Sequence, residues 1–181
     1  MNEELDKALE NLKNAILTKS PKVQVILTDW LNKWSKYIIR ENNFKPAYLP
    51  YYKRGDIVYV DFGFNIGAEY GGIHYAAVVE INNNKHNGNI LVVPLTSLDK
   101  DKSVNDIPKS DVYLGNNVIE WTNSATIAKP NQVRAISKMR IVKPVKKQDK
   151  KAHLNSEQMT LIENKLKELL IFEKGLTNSK K

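Results

Sequence analysis

Three polar side chains stand at the ends of predicted strands, where small sheets often carry functional groups. His74 opens a strand directly after a Gly-Gly pair, Thr96 closes the apolar run ILVVPL, and Arg134 lies within NQVRAIS. Cleaving RNA without a metal requires a base near the 2′-hydroxyl, an acid near the leaving oxygen and donors for the charged phosphorane. A histidine, a hydroxyl and an arginine can meet these needs, but the same residue types also serve as packing, turn and surface residues.

Other familiar catalytic and metal-binding motifs are missing from the sequence. The chain has 181 residues and no cysteine, which excludes disulfides, thiolate zinc sites and cysteine nucleophiles. It contains no phosphate-binding loop ending in Gly-Lys-Ser/Thr, no His-Glu-x-x-His and no Gly-x-Ser-x-Gly. The three histidines, His74, His86 and His153, are widely separated along the chain, so we expect no metal site and no cofactor.

The charge of the chain favours a polyanionic partner. The formal net charge is +8, mostly from lysine, and such an excess raises the local concentration of nucleic acid, although lysine-rich surfaces are common. The first residues, MNEELDKALENLK, are charged and lack the apolar core of a signal peptide, and no run of eighteen apolar residues occurs. We therefore expect a cytoplasmic protein without a membrane-spanning segment.

The first quarter of the chain has the periodicity of two amphipathic helices. Apolar residues at helical spacing predict a helix over residues 3–18, and Ser20-Pro21 opens a second one whose apolar face extends to Ile38. Residues 43–53 contain two prolines and no helical period, which indicates a linker or an extended strand. The prediction is a helical hairpin at 1–45 followed by a second domain at 46–175.

The second domain changes to the period of two that is typical of strands. Strands are predicted at 56–62, 74–81 and 89–95, with weaker ones at 111–114 and 124–129, a mixed segment through 142 and a basic connector at 143–151. Short turns between consecutive strands favour a curled antiparallel sheet. Asn155-Ser156 should cap a last helix that Gly175 ends, leaving a flexible tail at 176–181.

Four segments of the second domain resemble, in order, the motifs of MazF/PemK toxins. They are KRGDIVYVD at 53–61, IGAEYGGI at 66–73, VVPLTS at 92–97 and NQVRAISK at 131–138. The resemblance implies a mainly β, α+β fold: a small SH3-like antiparallel barrel of the MazF/PemK/CcdB type with a C-terminal helix, here preceded by the helical hairpin. It also implies a homodimeric type II toxin that cleaves short motifs in single-stranded RNA without a metal and is neutralised by a cognate acidic antitoxin.

The family's catalytic pair is an arginine just after the Gly-rich loop and a threonine at a strand end. Thr96 matches the threonine, whereas His74-Tyr75 stands where the family usually has Arg-Pro. Either His74 takes over acid–base catalysis, which an imidazole suits better than a guanidinium, or the chain is a weakened relative. We predict His74, Thr96 and Arg134 as catalytic residues. The residues predicted to bind RNA are Arg54, Glu69, Tyr70, Gly72, Ser97 and Gln132.

Two other functions remain open for this sequence. A gyrase poison of the same fold, like CcdB, would grip its target with the C-terminal helix and would need no His–Thr pair. A nucleic-acid-binding barrel without catalysis would need the positive charge only. Arg54, at the start of the first motif, has an alternative role as a fold residue at the edge of the barrel.

Overall fold

Strands and helices follow one another in the order that the sequence predicts. The computed structural model describes residues 2–171, so Gly175 and the tail 176–181 lie outside the described residues. The helices are α1 (Asn2–Leu17), α2 (Pro21–Arg40) and α3 (Ser156–Leu170). The strands are β1 (Asp56–Gly63), β2 (Gly72–Val78), β3 (Asn89–Ser97), β4 (Val112–Asn116), β5 (Ala125–Ala128), β6 (Arg134–Ser137), β7 (Ile141–Lys143) and β8 (Ala152–His153).

The differences from the prediction concern strand ends and very short strands. β2 begins two residues before His74, because Gly72 pairs with Gly63 across a bulge in the β1–β2 ladder. β6, β7 and β8 have four, three and two residues, too few to show a period-two pattern in sequence. The predicted linker at 43–53 contains the 3-10 turn Pro46–Tyr48 and ends against the core at Tyr52, which is buried and donates a hydrogen bond to a carbonyl oxygen.

All strand pairings are antiparallel, and β3 lies at the centre of the sheet. The order of hydrogen-bonded strands is β4-β5-β3-β2-β1-β7, with β6 on the first half of β3 and β8 on the start of β1. The first four residues of β3 pair with β6 and its last three pair with β5, so β3 changes partner along its length. The predicted mainly β class is confirmed, and the pairing of the described strands leaves the curled sheet open at β4 and β7.

Alternate residues of β1 face two different clusters of buried side chains. Ile57 belongs to a cluster between the sheet and α3, together with Val93 and Met159. Val58 and Phe62 face the other way, into a cluster that includes Tyr52. This alternation is the two-residue repeat of a strand, and both of its faces are covered here.

The C-terminal helix begins with the predicted cap. The Asn155 side chain accepts a hydrogen bond from the Gln158 amide, and the Gln158 side chain accepts one from the Asn155 amide, each at 2.9 Å. Gln158 also donates to the Leu114 carbonyl, which ties the start of α3 to β4. Met159 and Ile162, near the start of α3, are buried, whereas Leu169 and Leu170, at its end, are exposed.

The N-terminal helices form the predicted hairpin, and α2 contacts the sheet domain through a few side chains. The Trp30 ring covers Gly63, where an added Cβ would lie 2.4 Å from two ring atoms. Lys33 pairs with the buried Asp61 at 3.4 Å. Trp34, on the same helix, is half exposed. Within residues 2–171, no helix is long and apolar enough to cross a membrane.

Candidate active site

A pocket opens where β2 and β3 diverge. The antiparallel pairing of β2 with β3 ends at Ala76–Pro94, and beyond this point β3 pairs with β5. Continuing the β2–β3 register by two residues sets His74 opposite Thr96, and both line an open pocket of about 200 Å³. The other residues that line the pocket are Tyr59, Ile73, Tyr75, Leu95, Ser97, Ile119, Thr122 and Thr126.

The His74 imidazole is held against apolar and aromatic surfaces. Its ring centroid is 4.6 Å from that of Tyr70, and its Nε2 would lie 3.3 Å from a Cβ added at Gly72. Burial lowers the pKa of His74 below its ordinary value, because the charged form loses solvation. No hydrogen bond between the imidazole and another group in residues 2–171 occupies either nitrogen. The ring is therefore neutral near neutral pH and able to accept a proton.

Tyr70 connects the Gly-rich loop to the end of β3. Its hydroxyl donates to the Leu95 carbonyl oxygen at 3.2 Å. Burial raises the pKa of this phenol, and a hydrogen bond with the Thr96 side chain acts in the opposite direction without reversing the shift. The phenol thus keeps its proton at neutral pH. It lies beside both His74 and Thr96, and its one proton is donated to the Leu95 carbonyl.

Arg134 reaches the same region indirectly. Its Nη2 donates to Gln132 Oε1 at 3.1 Å, and that oxygen also accepts the Tyr70 amide at 3.1 Å. Gln132 Nε2 donates to the Ala68 carbonyl at 3.4 Å, so Gln132 holds two points of the Gly-rich loop. Arg134 also lies over the Phe62 ring, with its Cζ 5.7 Å from the centroid. It does not line the His74–Thr96 pocket but supports the loop beside it.

The remaining predicted residues are spread around this centre. Ser97 lines the pocket, and its hydroxyl is 3.0 Å from that of Ser124. Glu69 is exposed and lines a separate cleft of about 520 Å³ between the Gly-rich loop and α2. Arg54 lies elsewhere, where its guanidinium makes an ion pair with Glu163 on α3.

Comparison with known proteins agrees with this fold and this arrangement of motifs. Residues 53–170 match the family described as "PemK-like, MazF-like toxin of type II toxin-antitoxin system". The chain belongs to this family. The match includes all four segments on which the resemblance was based, and it begins after the helical hairpin.

Two solved structures similar to this toxin-family chain come from Deinococcus radiodurans. The first is MazF, with 20% identity, covering 67% of this chain and 96% of that one at a TM-score of 0.48. The second is a MazE–MazF complex, with 17% identity, covering 69% of this chain and 98% of that one at a TM-score of 0.46. A search of curated proteins found no match.

Some residues that shape the site of this MazF/PemK-family chain were not predicted from its sequence. Asn65 closes the Gly-rich loop by donating to the carbonyl oxygens of Phe62 at 3.2 Å and Tyr70 at 2.7 Å. In the sequence, only the position of Asn65 within a glycine-rich segment indicates such a role. Tyr59 and Thr126 line the pocket from strands that were predicted, but the pattern of alternation does not tell which end of a strand opens into a cavity.

Arg140 was also not predicted, and it joins the hairpin to the loop. Its Nε donates to the Asp61 carbonyl at 2.9 Å and its Nη2 to the Phe62 carbonyl at 2.6 Å, while its Cζ lies 5.3 Å from the Trp30 ring centroid. Burial lowers the pKa of Arg140, and the charge of Asp61 opposes that shift. The base of the Gly-rich loop is therefore fixed by α2 and by the segment after β6.

Proposed function

We propose that this chain is a toxin that cleaves single-stranded RNA without a metal, with His74 and Thr96 at the reacting phosphate. The observation that carries the proposal is the meeting of His74 and Thr96 in one open pocket between β2 and β3. The family match supports it, because the family consists of type II toxins and the pocket is built from its motifs. We further propose that the chain is a homodimer neutralised by an acidic antitoxin.

The reaction transfers the phosphorus from one ribose oxygen to another. Neutral His74 removes the proton of the 2′-hydroxyl, whose oxygen forms a bond to the adjacent phosphorus while the bond to the 5′-oxygen breaks. The 5′-oxygen takes a proton from water as it leaves, His74 returns its proton to solvent, and a 2′,3′-cyclic phosphate remains. The Thr96 hydroxyl donates a hydrogen bond to a phosphorane oxygen, whose charge increases in the transition state. Tyr70, whose hydroxyl donates to the Leu95 carbonyl, holds the end of β3 in place.

Arg134 remains a predicted catalytic residue. Its contacts also support a second role, in positioning the Gly-rich loop. Its hydrogen bond to Gln132, which holds the Gly-rich loop, makes it a positioning residue for Tyr70. A guanidinium that never loses its proton can also stabilise the phosphate if the loop moves aside on binding.

Mapping the cut ends of a long unstructured RNA tests the proposal. Cleavage should persist in EDTA, and His74→Ala and Thr96→Ala should each lower the rate by about 10²-fold or more. His86→Ala is the matched control, since His86 lies in the β2–β3 turn away from the pocket, and it should cleave like the parent.

Three outcomes would contradict the proposal. Cleavage that stops in EDTA and returns with magnesium would exclude the metal-free reaction. Inhibition of gyrase without cleavage would favour the gyrase poison. RNA binding without cleavage would identify the weakened relative, in which His74 does not replace the family's arginine.

A further inference from the structure

A second cleft lies next to the His74–Thr96 pocket and shares part of its lining. Its volume is about 420 Å³, and Tyr59 and Tyr75 line both cavities. The other residues that line it are Ile57, Trp121, Val142, Lys143, Pro144, Asp149 and Lys150. We refer to this cavity as the aromatic cleft. The mechanism described above uses none of its residues.

Three aromatic rings form a connected series along this cleft. The Tyr59 and Tyr75 centroids are 4.7 Å apart, and those of Tyr75 and Trp121 are 6.5 Å apart. The Trp121 indole donates a hydrogen bond to the Tyr75 hydroxyl at 2.8 Å, which fixes the orientation of both rings. Trp121 nevertheless remains 41% exposed, so part of its ring is available to a ligand.

The charges at the rim of the cleft favour an anionic ligand. Lys150 lies with its Nζ 6.0 Å from the Trp121 centroid, and Lys143 is exposed on the same rim. The one acidic side chain there, Asp149, accepts hydrogen bonds from the amides of Val145 and Lys146 at 2.7 and 2.9 Å. Its carboxylate is thereby engaged by the main chain, whereas the ammonium groups of the two lysines face solvent.

We propose that the aromatic cleft binds the nucleotide next to the cleaved bond, with its base stacked on Trp121 and its phosphate near Lys143 and Lys150. This inference rests on the proposed function, because the adjacent pocket must hold the reacting phosphate. Exposed aromatic rings beside lysines form the usual binding surface for single-stranded nucleic acid, and stacking tolerates any base. The cleft therefore supplies affinity, and the recognition of particular bases takes place elsewhere.

Binding to RNA that cannot be cut separates this subsite from catalysis. The probe is a random-sequence 2′-O-methyl RNA of fifteen nucleotides carrying a fluorescent label, and the readout is fluorescence anisotropy with the full chain. Trp121→Ala should weaken binding about tenfold, as expected for one lost stacking contact, whereas Trp121→Phe should retain most of the affinity. Trp34→Ala is the matched control, because Trp34 is a half-exposed tryptophan on α2, and it should bind like the parent.

An abasic oligomer of the same length tests whether the contact is to a base. Trp121→Ala should bind this oligomer as well as the parent chain does, because the stacking partner is missing in both cases. Lys150→Gln should weaken binding to both oligomers and lower the dependence of affinity on salt. Equal thermal midpoints for the parent and the variants will show that the fold is intact.

The results that overturn the subsite differ from those that overturn the nuclease. If the parent cuts RNA but Trp121→Ala binds the oligomer equally well, the subsite is wrong and the proposed function stands. If binding depends on Trp121 but nothing is cut, the nuclease is wrong, and the cleft is a binding site for single-stranded RNA without a cleaved bond beside it. Conversion of a dimer to a monomer by Trp121→Ala, or loss of antitoxin binding with RNA binding intact, would assign the cleft to a protein interface instead.

Discussion

At the scale of single residues, the surroundings of His74 distinguish it from the chain's other histidines. His153 is exposed and has the Asp56 carboxylate 3.0 Å from its Nδ1. His74 has the Tyr70 ring and Gly72 beside it, and burial lowers its pKa. A general base must be neutral before it accepts a proton, and the surroundings of His74 favour the neutral imidazole.

The shifted pKa of His74 gives the cleavage rate a defined dependence on pH. Protonation removes the base, so kcat/KM should rise with pH through the pKa of His74, below 6.5, and then level off. Thr96→Ala should keep this acid limb at a lower overall rate, and His74→Ala should lose it. A limb centred well above pH 6.5 in the parent would assign the base to another group. Because the folded pKa is lowered, the same burial also destabilises the fold as the pH falls through this window.

Arg54 provides a test that separates stability from RNA binding. Its ion pair with Glu163 is partly exposed, so Arg54→Ala should lower the free energy of unfolding by about 0.2–1 kcal/mol. Because Arg54 lies away from the pocket, kcat/KM for a short RNA should not change. Glu163→Ala is the matched control and should cause a similar loss of stability. A large rise in KM for Arg54→Ala alone would instead support the predicted role in RNA binding.

At the scale of elements, Gly63 is where the hairpin meets the Gly-rich loop. Gly63 has φ +76°, and a Cβ there would collide with Trp30; Gly67 has φ +61° with no atom within 4 Å of an added Cβ. Gly67→Ala should therefore cost only the backbone penalty of about 1–2 kcal/mol. Gly63→Ala should cost that and a further 1–3 kcal/mol or so for overpacking, measured by denaturant unfolding.

A double substitution shows whether the extra cost at Gly63 comes from the hairpin. Removing the indole with Trp30→Ala should remove most of the extra cost of Gly63→Ala, since the remaining close atom, Arg140 Nη2 at 2.8 Å, is the end of a long side chain. If Gly63→Ala costs the same in both backgrounds, the contact between α2 and β1 contributes nothing. In that case, the hairpin is only loosely attached to the sheet domain.

The sequence predicted the helices and strands better than the contacts between them. Periodicity predicted α1, α2, α3 and the longest strands, because their apolar patterns extend over many residues. His74 and Thr96 were each predicted at a strand end, but only the β2–β3 register sets them opposite each other. Trp121 could not be placed beside Tyr75, because forty-five residues separate them and Trp121 lies in the connection between β4 and β5, outside any periodic segment. Arg140 was missed for the same reason.

At the scale of the whole molecule, the net charge of +8 should control the encounter with RNA. Each phosphate contact on a single strand contributes a slope of about −0.7 to log K against log salt concentration. With the two lysines of the aromatic cleft, the slope is about −1.4, and kcat/KM should fall roughly sevenfold between about 50 and 200 mM salt. The Lys143→Gln and Lys150→Gln double variant should show a shallower slope. An unchanged slope in that variant would place the phosphate contacts elsewhere on the surface.

The change of partner along β3 has a consequence for how such a site can diversify. The space between β2 and β3 is set by main-chain hydrogen bonds, first to β6 and then to β5, and not by the side chains that line it. A substitution at position 74 or 96 alters the proton chemistry available in the pocket but leaves the path of the strands as it is. A histidine at position 74 is therefore compatible with this strand pairing. The pairing of β3 determines where the cavity lies, and the side chains at positions 74 and 96 determine its chemistry.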